Sequence, residues 1–571
     1  MTSHNGLLKA GFDFRLTEDL PAPFCELFSR KDNYQKKYKT TSGDFSVLLS
    51  VDCGDLSSLP LAFVLDRPDS LNGQLLPHIS VGNNICYVNE DMSDWNPHNP
   101  QATAVAVDQQ IQRTLEIAVS KDYARDNGFR TEFVNYWDAD EIGYIFGGQG
   151  CIKSNDFNSQ LVAYQGGTQG AEVKEYIVYE EAIQLENWLS LRGAKIVGSP
   201  FETVCIKIQA LKVAPSIWPL NSLSDLFVWL KTTDIAARNE LAIQLISGGS
   251  KTNHFVLLDI KDEGMVAVKV RLNQRLGKTF PKIASNHTKI KRSIKPSHFI
   301  SALESKKSSI EFSRVRMSSI SDDSLLKRNR PVEFDLRNKR IAIIGCGTIG
   351  GYCVEPLVRS GAGRGTKGLI DLWDSDEYKP DNYGRHVLPE KYFGWNKATA
   401  LKNRVEADSL KGLNIRAHAQ KSSVDQLIKM KYDIVIDVTG RPPFSKTLSR
   451  KVREVANPPI VIFGYNHAYG QVSAVFVDTG KACYGCLDRL SVLNEKDIPG
   501  SPESYSCGSV YLPYDASVSI ITAALIQEAA LNTQLERLPW TYSQHTTGKA
   551  IHHKRQNLKP FKSCLLMEHN L

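Results

Sequence analysis

The sequence predicts a multidomain α/β protein, and features of its carboxyl-terminal half carry the prediction. An apolar run at residues 341–344 leads directly into a glycine-rich turn, and apolar runs at 368–373 and 432–436 are each followed by an aspartate. Apolar strands that alternate with helical stretches are typical of a parallel sheet covered on both faces. At 571 residues the chain is also too long for one core, since domains hold about 150 residues.

The glycine-rich turn is a G-x-G-x-x-G fingerprint made by Gly345, Gly347 and Gly350. The first glycine permits a tight turn, the second lets a pyrophosphate approach the backbone, and the third lets helix and strand pack closely. Unpaired N–H groups at the start of the following helix then face the anion. By itself this fingerprint fits NAD, FAD or ATP.

Polar residues after the fingerprint favour a nucleoside triphosphate. Asp374 follows the second strand, where a carboxylate meets a ribose hydroxyl. Arg385 and Lys397 supply cations that neutralise phosphate charge, and Asp437 at the end of the third strand can hold Mg²⁺. Because hydride transfer needs neither the cations nor the second carboxylate, NAD-dependent redox chemistry is the least favoured alternative.

Residues 340–531 resemble the ThiF/MoeB adenylating family and the adenylation domain of ubiquitin-activating enzymes. The family's usual Asn-Leu-x-Arg-Gln segment reads Asn-Tyr-Gly-Arg-His here, close to the Asn-Leu-Gly-Arg-His of bacterial members. The resemblance implies a Rossmann-like adenylation domain, over residues 330–571, that uses ATP and Mg²⁺. The ATP-contacting residues it implies are Asp374 at the ribose, Asn382, Arg385 and Lys397 at the phosphates, and Asp437 at Mg²⁺.

Composition and charge exclude several other classes. Sixty-nine basic and 62 acidic residues give a net charge of +7 without a long basic run, which argues against nucleic-acid binding. No apolar stretch reaches the about 18 residues of a membrane span, and the amino terminus has no apolar signal core. Eleven cysteines are too sparse for a disulfide scaffold. We expect a soluble, cytoplasmic protein with reduced thiols.

The amino-terminal part contains a second recognisable pattern. Predicted strands are followed by Pro77-His78, then Ile85-Cys86, then Trp95, and finally an amphipathic helix from about residue 101 to 119. This order resembles the active site of ubiquitin-conjugating enzymes, in which a cysteine takes an activated carboxyl group as a thioester. By this resemblance residues 1–155 form an α+β conjugating-like domain with Cys86 as the nucleophile. The alternative is a buried strand cysteine.

The conjugating chemistry requires an accessible thiol rather than a strongly acidic one. A thiol of ordinary pKa, about 8.5, still exchanges thioesters because sulfur is nucleophilic and the incoming acyl group is already activated. The eukaryotic His-Pro-Asn motif is replaced by Pro77-His78-Ile79, so the asparagine that helps stabilise the oxyanion has no clear counterpart. His78, Asn83 and Asn84 are the candidates.

The middle of the chain carries no catalytic motif. Residues 156–300 mix predicted strands and helices and are predicted to be an α/β scaffold, which by position resembles the degenerate adenylation half of activating enzymes. Residues 301–329 are rich in Ser, Lys and Arg and are predicted to be a linker. Arg328 and Arg330 are candidates for an arginine that reaches an active site in trans.

The carboxyl-terminal region contains a C-x-x-C pair, Cys483 and Cys486, which suggests half of a zinc site. ThiF-type proteins often complete such a site with a second pair, which this chain lacks. Cys507, Cys564 and His545 remain as single candidate ligands. The alternative is a metal-free pair of packing or surface cysteines.

Cys507 lies on a predicted loop before an apolar helix at residues 516–531. The placement resembles autophagy-type activating enzymes, whose catalytic cysteine precedes such a helix within the adenylation domain. Loop placement gives a thiolate reach, and a helix N-terminus favours its charge. Cys507 is therefore predicted to be the activating nucleophile, with a zinc ligand or an inert thiol as alternatives.

A conjugating domain followed by an adenylating domain resembles the bacterial fused activating and conjugating enzyme of CBASS antiviral operons. The resemblance implies a homodimer that activates the C-terminal carboxylate of a cGAS-like nucleotidyltransferase as an acyl-adenylate. The acyl group then passes to Cys507, to Cys86 and to a target lysine. The alternatives are a sulfur-carrier adenylyltransferase for cofactor synthesis, whose amino-terminal unit only docks, and a non-enzymatic scaffold.

Overall fold

A computed structural model of the protein describes most of the chain. The described residues are 3–52, 58–89, 93–96, 98–120, 133–134, 136–139, 141–147, 157–166, 170–209, 218–248, 251–276, 297–327, 334–409, 412–467, 472–488, 503–506, 509–511, 514–546 and 552–560. They form two compact units, residues 1–185 with 193–320 and residues 186–192 with 321–571. None of the helices in the described residues is long and apolar enough to cross a membrane.

The first unit begins with an antiparallel sheet and the helices packed on it. The elements are α1 Ser3–Lys9, β1 Asp13–Arg15, α2 Phe24–Leu27, β2 Lys31–Thr40, β3 Gly43–Asp52, β4 Leu61–Asp66 and α3 Pro100–Val119. The strands follow the order β1-β2-β3-β4. Asn99 caps α3 by accepting the N–H of Ala102 at 3.2 Å, and the buried face of α3 shares one apolar core with β3 through Ile111, Leu115 and Phe45. The predicted strands and amphipathic helix are thereby confirmed.

The rest of the first unit is a closed seven-stranded barrel. Its elements are β5 Glu141–Ile145, β6 Asn158–Gln165, β7 Glu172–Tyr179, α4 Ala182–Arg192, β8 Lys195–Ile208, α5 Leu223–Thr233, α6 Ile235–Ser247, β9 Asn253–Ile260, β10 Gly264–Leu272, α7 Ser297–Leu303 and β11 Ser309–Ser319. Of these, α4 belongs to the first unit only up to residue 185, because its residues 186–192 belong to the second unit. The strands close in the order β10-β11-β5-β7-β6-β8-β9. Helices α5 and α6 pack their apolar faces on β8, β9 and β10. A closed barrel is not the open parallel sheet of an adenylation half, so that suggestion for the middle region is wrong.

The predicted linker at 301–329 is wrong where β11 lies. Strand β11 pairs antiparallel with β10 and parallel with β5, so it is one of the strands of the closed barrel. Val315 and Met317 are buried while Arg316 and Ser318 are exposed. This alternation is the period of a half-buried strand, and Arg316 and Ser318, two of the residues that suggested a linker, lie on its exposed face.

The second unit is built on an eight-stranded sheet. Its elements are α8 Asp322–Lys327, β12 Arg340–Ile344, α9 Thr348–Arg359, β13 Leu369–Trp373, α10 Lys397–Ala407, β14 Ile415–His418, α11 Val424–Lys429, β15 Ile434–Asp437, α12 Pro442–Lys451, β16 Ile460–His467, β17 Val472–Asp478, α13 Tyr484–Asp488, β18 Glu503–Ser506, β19 Ser509–Tyr511, α14 Ala516–Asn532, β20 Tyr542–Thr546 and β21 His552–Gln556. The sheet order is β14-β13-β12-β15-β16-β17-β20-β21, and β18 and β19 form a two-stranded sheet.

Both faces of the eight-stranded sheet are covered. Helices α9, α10 and α14 share one apolar core with the sheet, and α11 and α12 share another with its opposite face. The first five strands of the order pair in parallel and the remaining ones antiparallel. The mixed α/β class and the three predicted strands of this region are confirmed, because β12, β13 and β15 fall on the apolar runs.

Candidate active site

The sheet of the second unit has a topological switch point at β12. Strand β12 is flanked by β13 on one side and β15 on the other, and the strand order runs from β12 outward to β13 and β14 on one side and to β15 and β16 on the other. Gly345 follows β12, Asp374 follows β13, and Asp437 ends β15. A crevice at this edge is where open α/β sheets bind their ligands. Three of the predicted site residues thus meet at one place.

The glycines of the fingerprint have three different structural roles. Gly345 has a φ of +91°, and a Cβ there would lie 3.0 Å from the carbonyl oxygen of Val438. At Gly350 a Cβ would lie 1.9 Å from the carbonyl oxygen of Gly345, so no side chain fits. At Gly347 a Cβ would meet nothing within 4 Å. The open side of the turn is therefore at Gly347, where an anion can approach the backbone.

The start of α9 is open to a ligand as well. Gly347 is the N-cap residue of this helix, and within the described residues no side chain caps it. First-turn N–H groups without a side-chain acceptor, together with the helix dipole, favour a negatively charged group such as a phosphate. The geometry of the turn and of the helix start therefore agrees with the phosphate site predicted from the sequence.

Asp374 is fixed against the glycine-rich turn. Its Oδ2 accepts the N–H of Cys346 at 2.7 Å, and its Oδ1 accepts the N–H of Asp376 at 2.7 Å. Asn396 donates from Nδ2 to the carbonyl of Asp374 at 2.8 Å, and it also caps α10. The carboxylate that is predicted to bind the ribose is thus held at the crevice rather than free in solvent.

Lys397 begins α10 and reaches the same region. Its Nζ lies 3.7 Å from Oδ2 of Asp376, and only 12% of its side chain is exposed. Burial raises the pKa of the Cys346 thiol, and the positive charge of Lys397 partly opposes this effect. The same charge also lowers the pKa of His386, to which burial makes the larger contribution. Lys397 therefore lies within electrostatic reach of the glycine-rich turn, as a phosphate-neutralising cation must.

Arg385 ends a short 3₁₀ helix, Pro380–Arg385, and contacts a residue that the sequence did not single out. Its guanidinium lies 5.1 Å from the centre of the Tyr514 ring, within the range of a cation–π contact. The Tyr514 hydroxyl is 3.3 Å from Oγ1 of Thr348, the first residue of α9. Tyr514 thus connects the arginine predicted to contact phosphate to the start of α9. Its place, seven residues after Cys507, was the only signal in the sequence.

His386 is a second residue whose importance the sequence did not show. It is 6% exposed, its Nδ1 accepts the N–H of Leu388 at 3.1 Å, and its Nε2 lies 2.9 Å from the carbonyl oxygen of Cys346. Because Nδ1 accepts, Nε2 carries the proton and donates to the turn. Burial lowers the pKa of His386 to about 4, so the ring is neutral at pH 7. The histidine links the Arg385 segment to the glycine-rich turn.

Asn382 and Asp437 are engaged by the protein itself. Oδ1 of Asn382 accepts the N–H of Lys379 at 3.2 Å, which leaves its amide nitrogen as the group to meet a phosphate. The buried carboxylate of Asp437 accepts from Thr439 through both N–H (3.0 Å) and Oγ1 (2.8 Å) and from Ser445 Oγ (2.6 Å). Burial raises the pKa of Asp437.

These contacts bear on whether Asp437 suits a magnesium ion. Mg²⁺ takes one or two carboxylates together with waters and substrate phosphates. A carboxylate offers about four acceptor positions, and the donors on Asp437 occupy three. One position on Oδ2 remains, so the residue fits a single direct or water-mediated contact to Mg²⁺.

A cavity of about 1100 Å³ in the second unit lies apart from this crevice. Helices α8, α9, α10 and α14 line it, and none of the residues predicted to bind ATP belongs to its wall. The residues predicted to bind ATP lie instead around the carboxyl ends of β12, β13 and β15.

Cys86 lies on the loop between β4 and α3 in the first unit and is exposed. Its N–H donates to the carbonyl of His78 at 2.8 Å, and Ile79 and Ile85 form an antiparallel bridge between the two arms of the loop. The Tyr136 hydroxyl accepts the N–H of His78 at 2.6 Å. The alternative of a buried strand cysteine is therefore wrong. The thiol is accessible on a braced loop.

The candidates for an oxyanion donor near Cys86 differ in what they contact. Oδ1 of Asn83 accepts from the Arg67 guanidinium, and the backbone N–H of Asn84 donates to Oγ of Ser80 at 3.1 Å. His78 is half-buried, with a φ of +62°. None of these contacts identifies one of the three residues as the oxyanion donor, so all three remain candidates.

The C-x-x-C cysteines are buried, with their Sγ atoms 3.7 Å apart. In the described ranges no group of three or more His, Cys, Asp or Glu side chains could hold a metal ion. His545 pairs with His553 across β20 and β21. Zinc at Cys483 and Cys486 thus stays a prediction. Four other candidates of the sequence analysis lie outside the described residues, namely Cys507, Cys564, Arg328 and Arg330.

Comparison with known proteins gives two family matches within the chain. The ThiF family matches residues 327–565, and the prokaryotic E2 family B matches residues 18–146. The second match covers Cys86 and its loop. The first covers the whole nucleotide crevice and Cys507.

Three curated relatives define the wider similarity. The ATP-dependent ubiquitin transferase-like protein Cap2 of Vibrio cholerae is 35% identical over 592 residues, which cover 98% of each chain. The Escherichia coli TW11681 protein of the same description is 33% identical, again over 98% of each chain. The molybdopterin-synthase adenylyltransferase of Escherichia coli K12 is 26% identical over 30% of this chain and 72% of its own.

Proposed function

This chain belongs to the Cap2 family of ATP-dependent ubiquitin transferase-like proteins, and from that premise we propose a three-step acyl relay. It is an ATP-dependent enzyme with an adenylation domain of the ThiF family and a conjugating-like domain, and it acts on a protein partner. In the relay, the adenylation domain activates the C-terminal carboxylate of the partner. Two thiols of this chain then carry the acyl group to an amine.

The first step is adenylation at the crevice of β12. A carboxylate oxygen of the partner attacks the α-phosphorus of ATP, a P–O bond forms, and pyrophosphate leaves. Negative charge develops on the phosphate oxygens, and fixed N–H groups and cations stabilise it most when they need not reorganise. The turn at Gly347 and the start of α9 supply the N–H groups, and Lys397 and Arg385 supply the cations. Asp374 would hold the ribose.

Asp437 would hold Mg²⁺ through its remaining acceptor position. The bound ion would neutralise phosphate charge and orient the leaving pyrophosphate. Asn382 would donate its amide N–H to a phosphate oxygen, since its carbonyl oxygen is already engaged within the 3₁₀ helix. One observation carries the proposal most directly: the open glycine turn, Asp374 and Lys397 converge at the switch point of the sheet.

The second and third steps use the two thiols. Sγ of Cys507 attacks the acyl carbon of the adenylate, a C–S bond forms and AMP leaves. Sγ of Cys86 then displaces Cys507, in the same chain or in a dimer mate. Finally an amine, a target lysine, attacks the Cys86 thioester to form an amide, and the Cys86 thiolate leaves. The exposure of Cys86 supports its role, and the role of Cys507 rests on family resemblance alone.

The partner and the setting are proposed on the same resemblance. The carboxyl donor would be a cGAS-like nucleotidyltransferase, the enzyme would act in CBASS antiviral defence, and it would work as a homodimer. A sulfur-carrier adenylyltransferase is the competing function. It predicts ATP-dependent adenylation without any acyl group on Cys86.

The relay is tested with the full chain, ATP, Mg²⁺ and the candidate donor protein. We expect a reductant-sensitive adduct on the wild type, mapped by mass spectrometry to Cys507 and Cys86. The Cys86→Ala variant keeps the adduct at Cys507, whereas Cys507→Ala forms none at either thiol although ATP–pyrophosphate exchange continues. An adduct at Cys86 in Cys507→Ala would reject the relay. Exchange without any adduct in the wild type would favour the sulfur-carrier function.

A further inference from the structure

The first unit contains a cavity of about 310 Å³, and residues of the loop that carries Cys86 form part of its wall. Arg67, the residue after β4, lines this cavity together with Gln74, Leu76, Ile79, Asn83 and Trp218. Leu76, Ile79 and Trp218 make its apolar part, and the guanidinium of Arg67 is its charged group. The cavity therefore combines apolar walls with one cation, a composition that suits an anionic side chain with a short methylene stem.

Within the part of the chain that the structure describes, no anionic side chain balances the charge of Arg67. Nη1 donates to the carbonyl of Gln74 at 3.0 Å, and Nη2 donates to Oδ1 of Asn83, and both acceptors are uncharged. Among the described residues no carboxylate lies within ion-pair distance of the guanidinium. Burial lowers the pKa of Arg67. A partly buried cation without a counter-ion has high affinity for a carboxylate that can reach it.

The guanidinium also has donors left for a ligand. It carries five N–H groups in a planar fork, and the two bonds to Gln74 and Asn83 use two of them. The remaining donors allow a bidentate contact, which is the geometry in which arginine recognises carboxylates.

The cavity is connected to the reactive thiol through the loop itself. Asn83 precedes Cys86 by three residues, so their Cα atoms lie at most about 11 Å apart. Ile79, a wall residue, pairs with Ile85, the neighbour of Cys86. Tyr136 accepts the N–H of His78 through its hydroxyl and the indole N–H of Trp218 through its carbonyl, at 2.6 Å each. The same loop thus positions both the thiol and the cavity.

A purely structural role for Arg67 explains only part of these observations. Its bond to Asn83 braces a residue whose φ of +62° lies in the left-handed region. That brace requires two N–H donors, which a neutral amide side chain also provides. It requires neither an unbalanced positive charge nor an adjoining cavity.

We propose that the Arg67 cavity binds the carboxylate side chain of an acidic residue close to the acceptor lysine in the target polypeptide. The proposal rests on the proposed function, because it places the acceptor peptide beside a thioester on Cys86. A lysine side chain and the one to four residues next to it span the distance between thiol and cavity. Arg67 thereby selects lysines with an acidic neighbour.

The test uses single-turnover discharge of the Cys86 thioester on the full-length enzyme. Acceptor peptides, acetylated at the amino terminus and amidated at the carboxyl terminus, carry one lysine flanked by Glu or by Gln. We expect the wild type to discharge to the Glu peptide about tenfold faster than to the Gln peptide at low concentration. In Arg67→Gln this ratio falls to about one, and in Arg67→Lys it is intermediate, because charge remains but the bidentate fork is lost.

The ratio within each variant separates recognition from bracing. If Arg67 only braces the loop, Arg67→Gln slows both peptides by one factor, and that result overturns the proposal. A wild type without preference for Glu, or a preference that survives in Arg67→Gln, also overturns it. A preference that depends on acidic residues in the donor tail rather than in the acceptor peptide contradicts the assignment to the acceptor.

A second experiment, which measures peptide binding, tests the inference separately from the relay. Equilibrium binding of the two peptides to the full chain by calorimetry does not require the thioester. We expect about tenfold tighter binding of the Glu peptide by the wild type and equal binding by Arg67→Gln. Equal binding by the wild type rejects the inference even if the relay is intact. Absence of any Cys86 thioester rejects the relay and leaves this binding result to decide the inference.

Discussion

The glycine-rich turn after β12 and the loop that carries Cys86 both follow a strand, but the turn is enclosed whereas the loop is open to solvent. The turn is bonded to three neighbours: Trp373 accepts the N–H of Gly345, Asp374 accepts the N–H of Cys346, and His386 donates to the carbonyl of Cys346. Cys86 instead is exposed, and its loop is braced mainly at His78.

The difference is the one that the two proposed chemistries require. A charged transition state on ATP is stabilised by donors that are already in place, so its site is built where strands end and side chains are packed. Thioester transfer depends on access of one macromolecule to a thiol, so that thiol belongs on an exposed loop. Substitutions in the enclosed turn are expected to cost more than substitutions around the loop.

The largest effect is expected at the third glycine of the turn. In Gly350→Ala the new methyl group would overlap the carbonyl oxygen of Gly345, which destabilises the second unit by about 3 kcal/mol or more. Gly347→Ala is the matched control, because its methyl group points into open space and changes stability by less than about 1 kcal/mol. Chemical denaturation measures both. Equal destabilisation by the two substitutions would show that the turn is not enclosed as described.

The same pair distinguishes packing from ligand approach. Gly347→Ala leaves the fold intact but places a methyl group on the open side of the turn, so we expect ATP to bind about tenfold more weakly. Nucleotide binding by calorimetry checks this. Unchanged ATP affinity in Gly347→Ala would mean that the phosphates approach elsewhere.

The next effect concerns pH and His386. The unfolded chain protonates this histidine near pH 6.5 and the folded one near pH 4, so its contribution to stability is complete above about pH 6.5 and is lost as the pH falls toward 4. Between pH 7 and pH 5 this side chain is expected to remove about 2 kcal/mol from the free energy of unfolding. His386→Gln, which keeps a donor and an acceptor, should lose less over that range. If the free energy of unfolding falls equally with pH in the wild type and in His386→Gln, the ring of His386 is not buried in its neutral form.

A smaller effect is expected at Tyr514. Tyr514→Ala removes the ring that faces Arg385, and we expect ATP–pyrophosphate exchange to slow about fivefold. Tyr514→Phe keeps the ring and loses only the long contact to Thr348, so its exchange rate should stay within about twofold of the wild type. If both variants lose activity equally, the hydroxyl rather than the ring positions the site.

The smallest effect is expected beside the Cys86 loop. Tyr136→Phe removes the acceptor of the His78 N–H, which costs about 0.5 to 1 kcal/mol of local stability and slows discharge of Cys86 two- to fourfold. ATP–pyrophosphate exchange should not change, because Tyr136 belongs to the first unit. A loss of exchange in this variant would contradict the independence of the two regions.

The strands and the glycine-rich turn of the candidate crevice were predictable because their signals are local. The strands at 341–344 and 368–373 are short apolar runs, and Gly345 and Asp374 follow directly after them. The barrel was not predictable in this way, since β5 pairs with β11, which lies far along the chain, and polar residues at both sets of alternating positions hide the period of β11.

The two residues that sequence reasoning missed, His386 and Tyr514, also depend on partners that are distant in the sequence. His386 was recognised only as a variant of a family segment, and its role depends on the carbonyl of Cys346 forty residues earlier. Tyr514 contacts Arg385 and Thr348 across an even longer stretch of sequence. Residue type alone does not reveal a hydrogen-bond partner that only the fold brings near.

The central claim, that the crevice of the second unit supplies the acyl group carried by the exposed residue 86, is tested most directly with Cys86→Ser. A serine there traps the transferred acyl group as an oxygen ester that resists reductants. With ATP, Mg²⁺ and the donor protein, we predict a reductant-resistant, hydroxylamine-sensitive adduct that mass spectrometry maps to position 86. Continued ATP–pyrophosphate exchange with no adduct at that position, in this variant and in the wild type, would contradict the account.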